Sequence, residues 1–183
     1  MSLNKHFLSF SDKITKKIHD LRLDYLVLLP LFFFIGSQIT IPLPFSPVPL
    51  SLQPYTVFLA AWFLGRRGVA GYAMYLLYGA CGAPIFAGFS GGPAYLLGPT
   101  CGYLMGFLVG ALIIATLRSF MQNTVQAYGL YVLATAAVFA CGVTNLSFFM
   151  PAQIAFSLGF QPFIIGDFLL KPALFVLATR MRK

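Results

Sequence analysis

Asp167 and Lys171 are the two charged residues that lie within an apolar run, Phe163–Ala178, rather than at the end of one or in a basic connection. Four residues on an α-helix turn through about 400°, so both side chains project from nearly the same face. A charge inside a membrane helix costs about 3 kcal/mol or more, and ionisable groups there pair, face a cavity or line a binding site. Two kinds of chemistry suit the pair. In ligand recognition, the ammonium meets a carboxylate or carbonyl oxygen and the carboxylate accepts from N–H groups. In a proton-coupled cycle, Asp167 and Lys171 exchange protonation states. Enzyme chemistry is not expected. Both histidines, His6 and His19, fall in the N-terminal leader, and no HExxH, paired carboxylates or base–nucleophile pair lies in the apolar region. Cys81, Cys101 and Cys141, an odd count without CxxC spacing, fit neither a disulfide framework nor a zinc site and read as buried small residues. No cofactor is expected.

The elements that must hold this pair are membrane helices. Of the 183 residues, 59% are hydrophobic and 9% charged, with a mean hydropathy of +0.85, whereas soluble domains carry about 25% charged residues. Six apolar segments can be read, at about 25–41, 50–64, 69–81, 100–117, 128–149 and 162–178. The second and third fall short of the about 20 residues of a full span, which implies re-entrant tilting or local bilayer thinning. The charges nevertheless require them as spans. With the N-terminus in the cytoplasm, all Lys and Arg residues except Lys171 fall on the cytoplasmic side, and the outer loops at about 42–49 and 82–99 carry no charge. This is the positive-inside pattern of an all-α, polytopic protein with six transmembrane helices and both termini cytoplasmic. Residues 1–24 read as a basic cytoplasmic leader with apolar residues at helical spacing, and 25–183 as the membrane domain. The net charge of +8 is spread over the connections rather than gathered in a patch, which gives nucleic acid no docking face.

Gly102, Gly106 and Gly110 make a small-residue stripe that brings helices close, by packing inside the chain or by dimerisation. The uncharged loop from Gly79 to Pro93 is mostly apolar and rich in glycine. It reads either as a lid, with Phe86 and Phe89 closing over an apolar ligand, or as a loop packed on the helix ends. Gln38, Thr40, Gln53, Tyr55, Thr56, Tyr103, Thr144, Asn145 and Gln153 fall in outer halves of segments or beside outer loops. Their shared depth predicts one outward-facing polar pocket, with interhelical hydrogen bonding the ordinary role for any single one.

Three stretches carry a family resemblance. Ile41-Pro-Leu-Pro-Phe-Ser-Pro-Val-Pro-Leu-Ser-Leu-Gln53 resembles a first-loop signature. Gly82-Ala-Pro-Ile-Phe-Ala-Gly-Phe-Ser-Gly-Gly92 with Leu97-Gly-Pro-Thr-Cys-Gly-Tyr-Leu-Met-Gly-Phe107 resembles a third-loop signature. Pro162-Phe-Ile-Ile-Gly-Asp-Phe-Leu-Leu-Lys171 resembles a sixth-helix motif. The family they resemble is BioY, the biotin-binding S components of energy-coupling factor (ECF) transporters. The resemblance implies a biotin pocket near the outer face under the first and third loops. It also implies a bacterial inner-membrane location and a transmembrane coupling subunit with two cytosolic ATPases as partners. Within that resemblance Asp167 takes ureido N–H groups and Lys171 meets a biotin oxygen. Gln53, Tyr103 and Asn145 are further polar candidates, and Phe86 and Phe89 are lid candidates. The chain has no Walker A motif, so ATP would be handled by the partners. Three features differ from the family pattern. Cys101 replaces a glycine, the acid and lysine stand four rather than three apart, and Phe33 is large where a small residue four before Ser37 is usual. A stand-alone proton-coupled transporter of a small vitamin is the alternative that the same pair supports.

Overall fold

In the computed structural model, residues 24–180 are described. The proposed amphipathic leader, and with it His6 and His19, lies outside them. Helix forms in each of the six apolar segments. A π turn, Asp24–Leu28, leads into α1, Leu29–Gln38. A two-residue hairpin, β1 Thr40–Ile41 with β2 Leu50–Ser51, brackets the proline-rich outer loop, pairing Thr40 with Ser51 and Ile41 with Leu50. Then come α2, Gln53–Leu64, and α3, Arg66–Ala80, joined at Gly65. The second outer loop holds a single turn at Ala87–Phe89 and the short α4, Pro93–Leu96. The long pair α5, Cys101–Leu117, and α6, Thr124–Leu146, follows. Next is α7, Ala152–Gly159; a π turn, Ile164–Leu170, then runs into α8, Lys171–Arg180.

Local sequence sets these boundaries. Pro30, Pro54 and Pro93 sit in first turns, where a missing N–H costs nothing. Asn123 caps α6 by accepting from the Gln126 N–H. Gly65 joins α2 to α3 at φ +60°, a conformation that glycine adopts without strain. Two expected boundaries are corrected. The fifth segment starts at Thr124 and ends at Leu146 rather than covering 128–149, because the Asn123 cap lies ahead of the apolar run. The connection after it contains α7, whose eight residues after Pro151 are too few to show a period in the sequence. Cys81 is exposed at the end of α3, and Cys101 and Cys141 are half-buried, so the cysteines are not the buried small residues expected.

Among the described residues, two helical stretches are individually long and apolar enough to cross a bilayer, Cys101–Phe120 and Thr124–Leu146. The pair Ala152–Phe163 and Gly166–Thr179, bent by 46°, makes a third if it counts as one span. With 12 and 15 residues, α2 and α3 rise only about 18 and 22 Å. The glycine stripe packs within the chain. A Cβ on Gly106 would fall 2.8 Å from the Val138 Cα, and one on Gly102 2.5 Å from the Cys141 carbonyl oxygen. Backbones this close maximise van der Waals contact, the main attraction between helices where lipid removes the hydrophobic drive. Inside, Phe33, Tyr72 and Tyr75 form an aromatic cluster, while Leu31, Phe32 and Ile35 of α1 and Leu174 and Leu177 of α8 face outward. An apolar exterior of this kind matches a hydrocarbon surround.

Candidate functional site

The sixth segment is shaped by Pro172. In a continuous α-helix the N–H of residue 172 would bond the Phe168 carbonyl; proline has none and its ring crowds that carbonyl. The chain widens into the π turn, where the Lys171 N–H reaches five residues back to the Gly166 carbonyl. The freed Phe168 oxygen accepts from the Tyr128 hydroxyl of α6 at 2.8 Å. Asp167 lies in this turn and Lys171 at its end, both buried, at 4% and 7% exposure. The Lys171 ammonium donates to Asp167 Oδ1 and, at 2.7 Å, to the carbonyl oxygen of Ser51 at the end of β2. The outer hairpin is thereby tied to the sixth segment. An ammonium has three donors, so one more remains for a ligand.

Asp167 and Lys171 face a cavity with about 630 Å³ of space between atoms, its open mouth included. Its walls come from the hairpin (Val48, Pro49, Ser51), α2 (Gln53, Pro54, Phe58), α5 (Tyr103, Leu104, Phe107) and α6 (Thr135, Val138, Phe139). Few polar groups on a largely apolar wall is the usual construction of a small-molecule site. Gln53 and Tyr103 stand on the cavity wall. The Gln53 amide is buried, with the Tyr75 hydroxyl beside it. The Tyr103 hydroxyl is already used, donating to the Gly159 carbonyl at 2.9 Å, and its ring fits a slot where a Cβ on Gly142 would come within 2.3 Å. Tyr103 therefore offers its ring to the cavity.

Asn145, Phe86 and Phe89 are not brought to that wall. Asn145 Nδ2 donates to the carbonyls of Gly98 and Pro99, at 3.2 and 3.1 Å, and so fastens the second outer loop to α6. Phe86 is fully buried, stacked on Tyr95 at 5.0 Å and edge-on to Tyr75 at 5.5 Å; it anchors the loop instead of closing over a ligand. Phe89 is 66% exposed at the loop tip and meets Phe34 at 5.8 Å. The common polar pocket expected from shared depth is only partly formed. Thr144 and Gln153 are exposed, and Tyr55 donates to the Leu174 carbonyl. Gln38 grips the loop, donating to the Phe86 carbonyl at 2.9 Å and accepting from the Phe89 N–H. Sequence reading missed Ser51, which acts through its backbone, and Thr135. Neither carries a signal in its residue type.

A second cleft, between the two outer loops, shares Pro49, Ala87, Tyr95 and Thr100 with the cavity. It opens the site toward the loop side. Ser46 Oγ ties the first loop to the Leu158 carbonyl at 2.8 Å, and Ser37 and Tyr75 both donate to the Ile85 carbonyl of the second loop. Both loops are thus packed on the helix ends.

A helical chain with an apolar exterior and a loop-covered cavity built around one buried ion pair defines a membrane-embedded small-molecule-binding protein. The comparisons with known proteins agree. The sequence model of the BioY family matches residues 12–183. The Biotin transporter BioY of Thermotoga maritima is 38% identical over 151 residues, 81% of this chain and 88% of that one. The Probable biotin transporter BioY of Pyrococcus horikoshii is 36% identical over 149 residues, again 81% and 88%. Among solved structures, the S-component for biotin from an ECF-type ABC transporter superposes with a TM-score of 0.79 at 28% identity, covering 92% of this chain and 93% of that one. The chain belongs to the BioY family.

Proposed function

We propose that this protein binds biotin in the cavity beside Asp167 and Lys171 and mediates biotin uptake as the substrate-specificity subunit of an ECF transporter. The observation that carries the reading is the buried Asp167–Lys171 pair on a cavity wall in a BioY-family chain. Biotin has an apolar thiolane body with polar ureido and carboxylate ends. The apolar wall of Phe58, Phe107, Val138 and Phe139 takes the body. Asp167 accepts from ureido N–H groups, the third Lys171 donor meets a biotin oxygen, Gln53 Nε2 supplies another donor and the Tyr103 ring packs alongside. Phe89 is exposed on the loop above the cavity, and Phe86 and Asn145 act by holding that loop in place.

The protein is placed in the bacterial inner membrane, with six spans and both termini cytoplasmic; the charge-free outer loops and the basic connections support this. Residues 1–24 form the basic cytoplasmic leader. A transmembrane coupling subunit and two cytosolic ATPases complete the transporter. Equilibrium binding to the purified protein in detergent, across a panel of water-soluble vitamins, tests the ligand. Biotin is expected to bind tightly, without competition from the others. Competition by an unrelated vitamin at similar concentration would show that the cavity serves another substrate.

A further inference from the structure

Hydroxyls in apolar helices normally satisfy themselves on their own backbone. Five do so here. Ser37 donates to Phe34 O at 2.7 Å, Thr56 to Gln53 O at 2.8 Å, Thr116 to Leu112 O at 2.8 Å, Ser147 to Thr144 O at 2.7 Å and Thr179 to Val176 O at 2.9 Å. Thr135, unlike the buried Ser37 and Thr56, departs from the pattern. It lies in the middle of α6, is 3% exposed, and its Oγ1 is buried without a partner among the described residues. Threonine in a helix can choose a rotamer that bonds the carbonyl three or four residues back, and Thr135 makes no such bond.

Two facts give this departure meaning. Thr135 lines the same cavity as Asp167, Lys171 and Gln53. It also lies deep: α6 meets the start of α5 near Cys141 and Asn145, and ten residues of helix from Asn145 are about 15 Å. A buried hydroxyl with nothing to bond is unfavourable, and valine would fill the same volume without that penalty.

We infer that Thr135 Oγ1 hydrogen-bonds a polar atom at the inserted end of the bound ligand, which makes Thr135 a specificity-determining residue of the cavity. The inference rests on the reading that this cavity binds biotin. An analogue lacking the matching polar atom leaves the hydroxyl buried and unpaired, and sites built on hydrogen bonding reject such analogues far more strongly than apolar pockets reject a missing methylene.

The test uses the full chain in detergent and compares wild type, Thr135→Val and Thr135→Ser by calorimetric biotin binding and by the melting temperature without ligand. Thr135→Val is expected to bind biotin about tenfold more weakly while melting no lower than wild type. Thr135→Ser is expected to keep wild-type affinity. Wild-type affinity in Thr135→Val would overturn the inference and leave the biotin reading intact. A lower melting temperature in Thr135→Val that Thr135→Ser restores would make the hydroxyl structural and overturn it equally. Loss of biotin binding in folded wild type itself would remove the biotin reading and this inference together.

Discussion

Asp167 and Lys171 are buried in contact, so each depends on the other. Replacing Lys171 with Met leaves a buried carboxylate without its cation and also releases the Ser51 carbonyl. Breaking a buried pair from one side costs about 3–5 kcal/mol. Lys171→Met is therefore expected to lower the melting temperature without ligand clearly, as differential scanning fluorimetry in detergent can read, and to weaken biotin binding as well. An unchanged melting temperature would mean that Asp167 is solvated or protonated there. The pair was legible in the sequence because charges are rare in such a chain and two at helical spacing in one apolar run stand out. Gln53 was legible only through its place beside the first outer loop. Asn145 stands off the cavity wall, a placement the sequence does not signal, because an amide near an outer loop looks the same whether it meets a ligand or a loop carbonyl. Thr135 was invisible, since threonine in a helix ordinarily signals nothing.

At the scale of elements, the ion pair depends on a helix that is not α-helical. The π turn ahead of Pro172 sets how Asp167 and Lys171 share a face, and the Tyr128 hydroxyl holds the carbonyl that the proline frees. Tyr128→Phe removes one part-buried hydrogen bond, a loss of about 0.5–1.5 kcal/mol. It is expected to melt lower and to bind biotin several-fold more weakly, although residue 128 is absent from the cavity wall; equal affinity would detach the π turn from the site. The close contacts of α5 give a second prediction. A Cβ on Gly110 would fall 2.7 Å from the Phe58 ring, which lines the cavity. Overpacking typically costs about 1–3 kcal/mol, so Gly110→Ala should reshape the wall through Phe58 and reduce both stability and affinity, measured by melting and by binding on one preparation. Sequence reading foresaw the glycine contact but not the π turn, because Lys-Pro after an apolar run signals only a disturbed helix. It also overlooked α7, which is too short for its apolar positions to repeat.

For the whole molecule, among the described residues helix forms in each of the six apolar segments, while two stretches, or three with the bent pair, are individually long and apolar enough to cross. The short α2 and α3 meet at Gly65, beside the exposed Arg66 and Arg67. Helices of about 18 and 22 Å under a core of about 30 Å draw that turn toward the hydrocarbon or thin the bilayer around it. The proposed orientation puts this turn inside and the exposed Cys81 at the outer end of α3. A membrane-impermeant maleimide on intact cells is therefore expected to label wild type at Cys81. An Arg67→Cys variant in a background with Cys81, Cys101 and Cys141 all replaced by Ser should label only after permeabilisation, and the reverse pattern would invert the protein. Hydropathy gives segments, and charge gives their order across the membrane. How the outer loops fold over the cavity depends on side-chain ties such as Ser46 to Leu158 and Gln38 to Phe86, which have no periodic signal.

The most direct measurement is the dissociation constant for biotin of the purified protein, wild type against Asp167→Asn, by isothermal titration calorimetry in detergent. Hydrogen bonds to a charged group are worth about 1.5–3 kcal/mol, which corresponds to a loss of about ten- to a hundredfold. Tight wild-type binding with a loss of that size in a variant that still melts cooperatively would establish Asp167 as the anchor of the ligand. Equal affinity in the two proteins would contradict it and move the site away from the sixth segment.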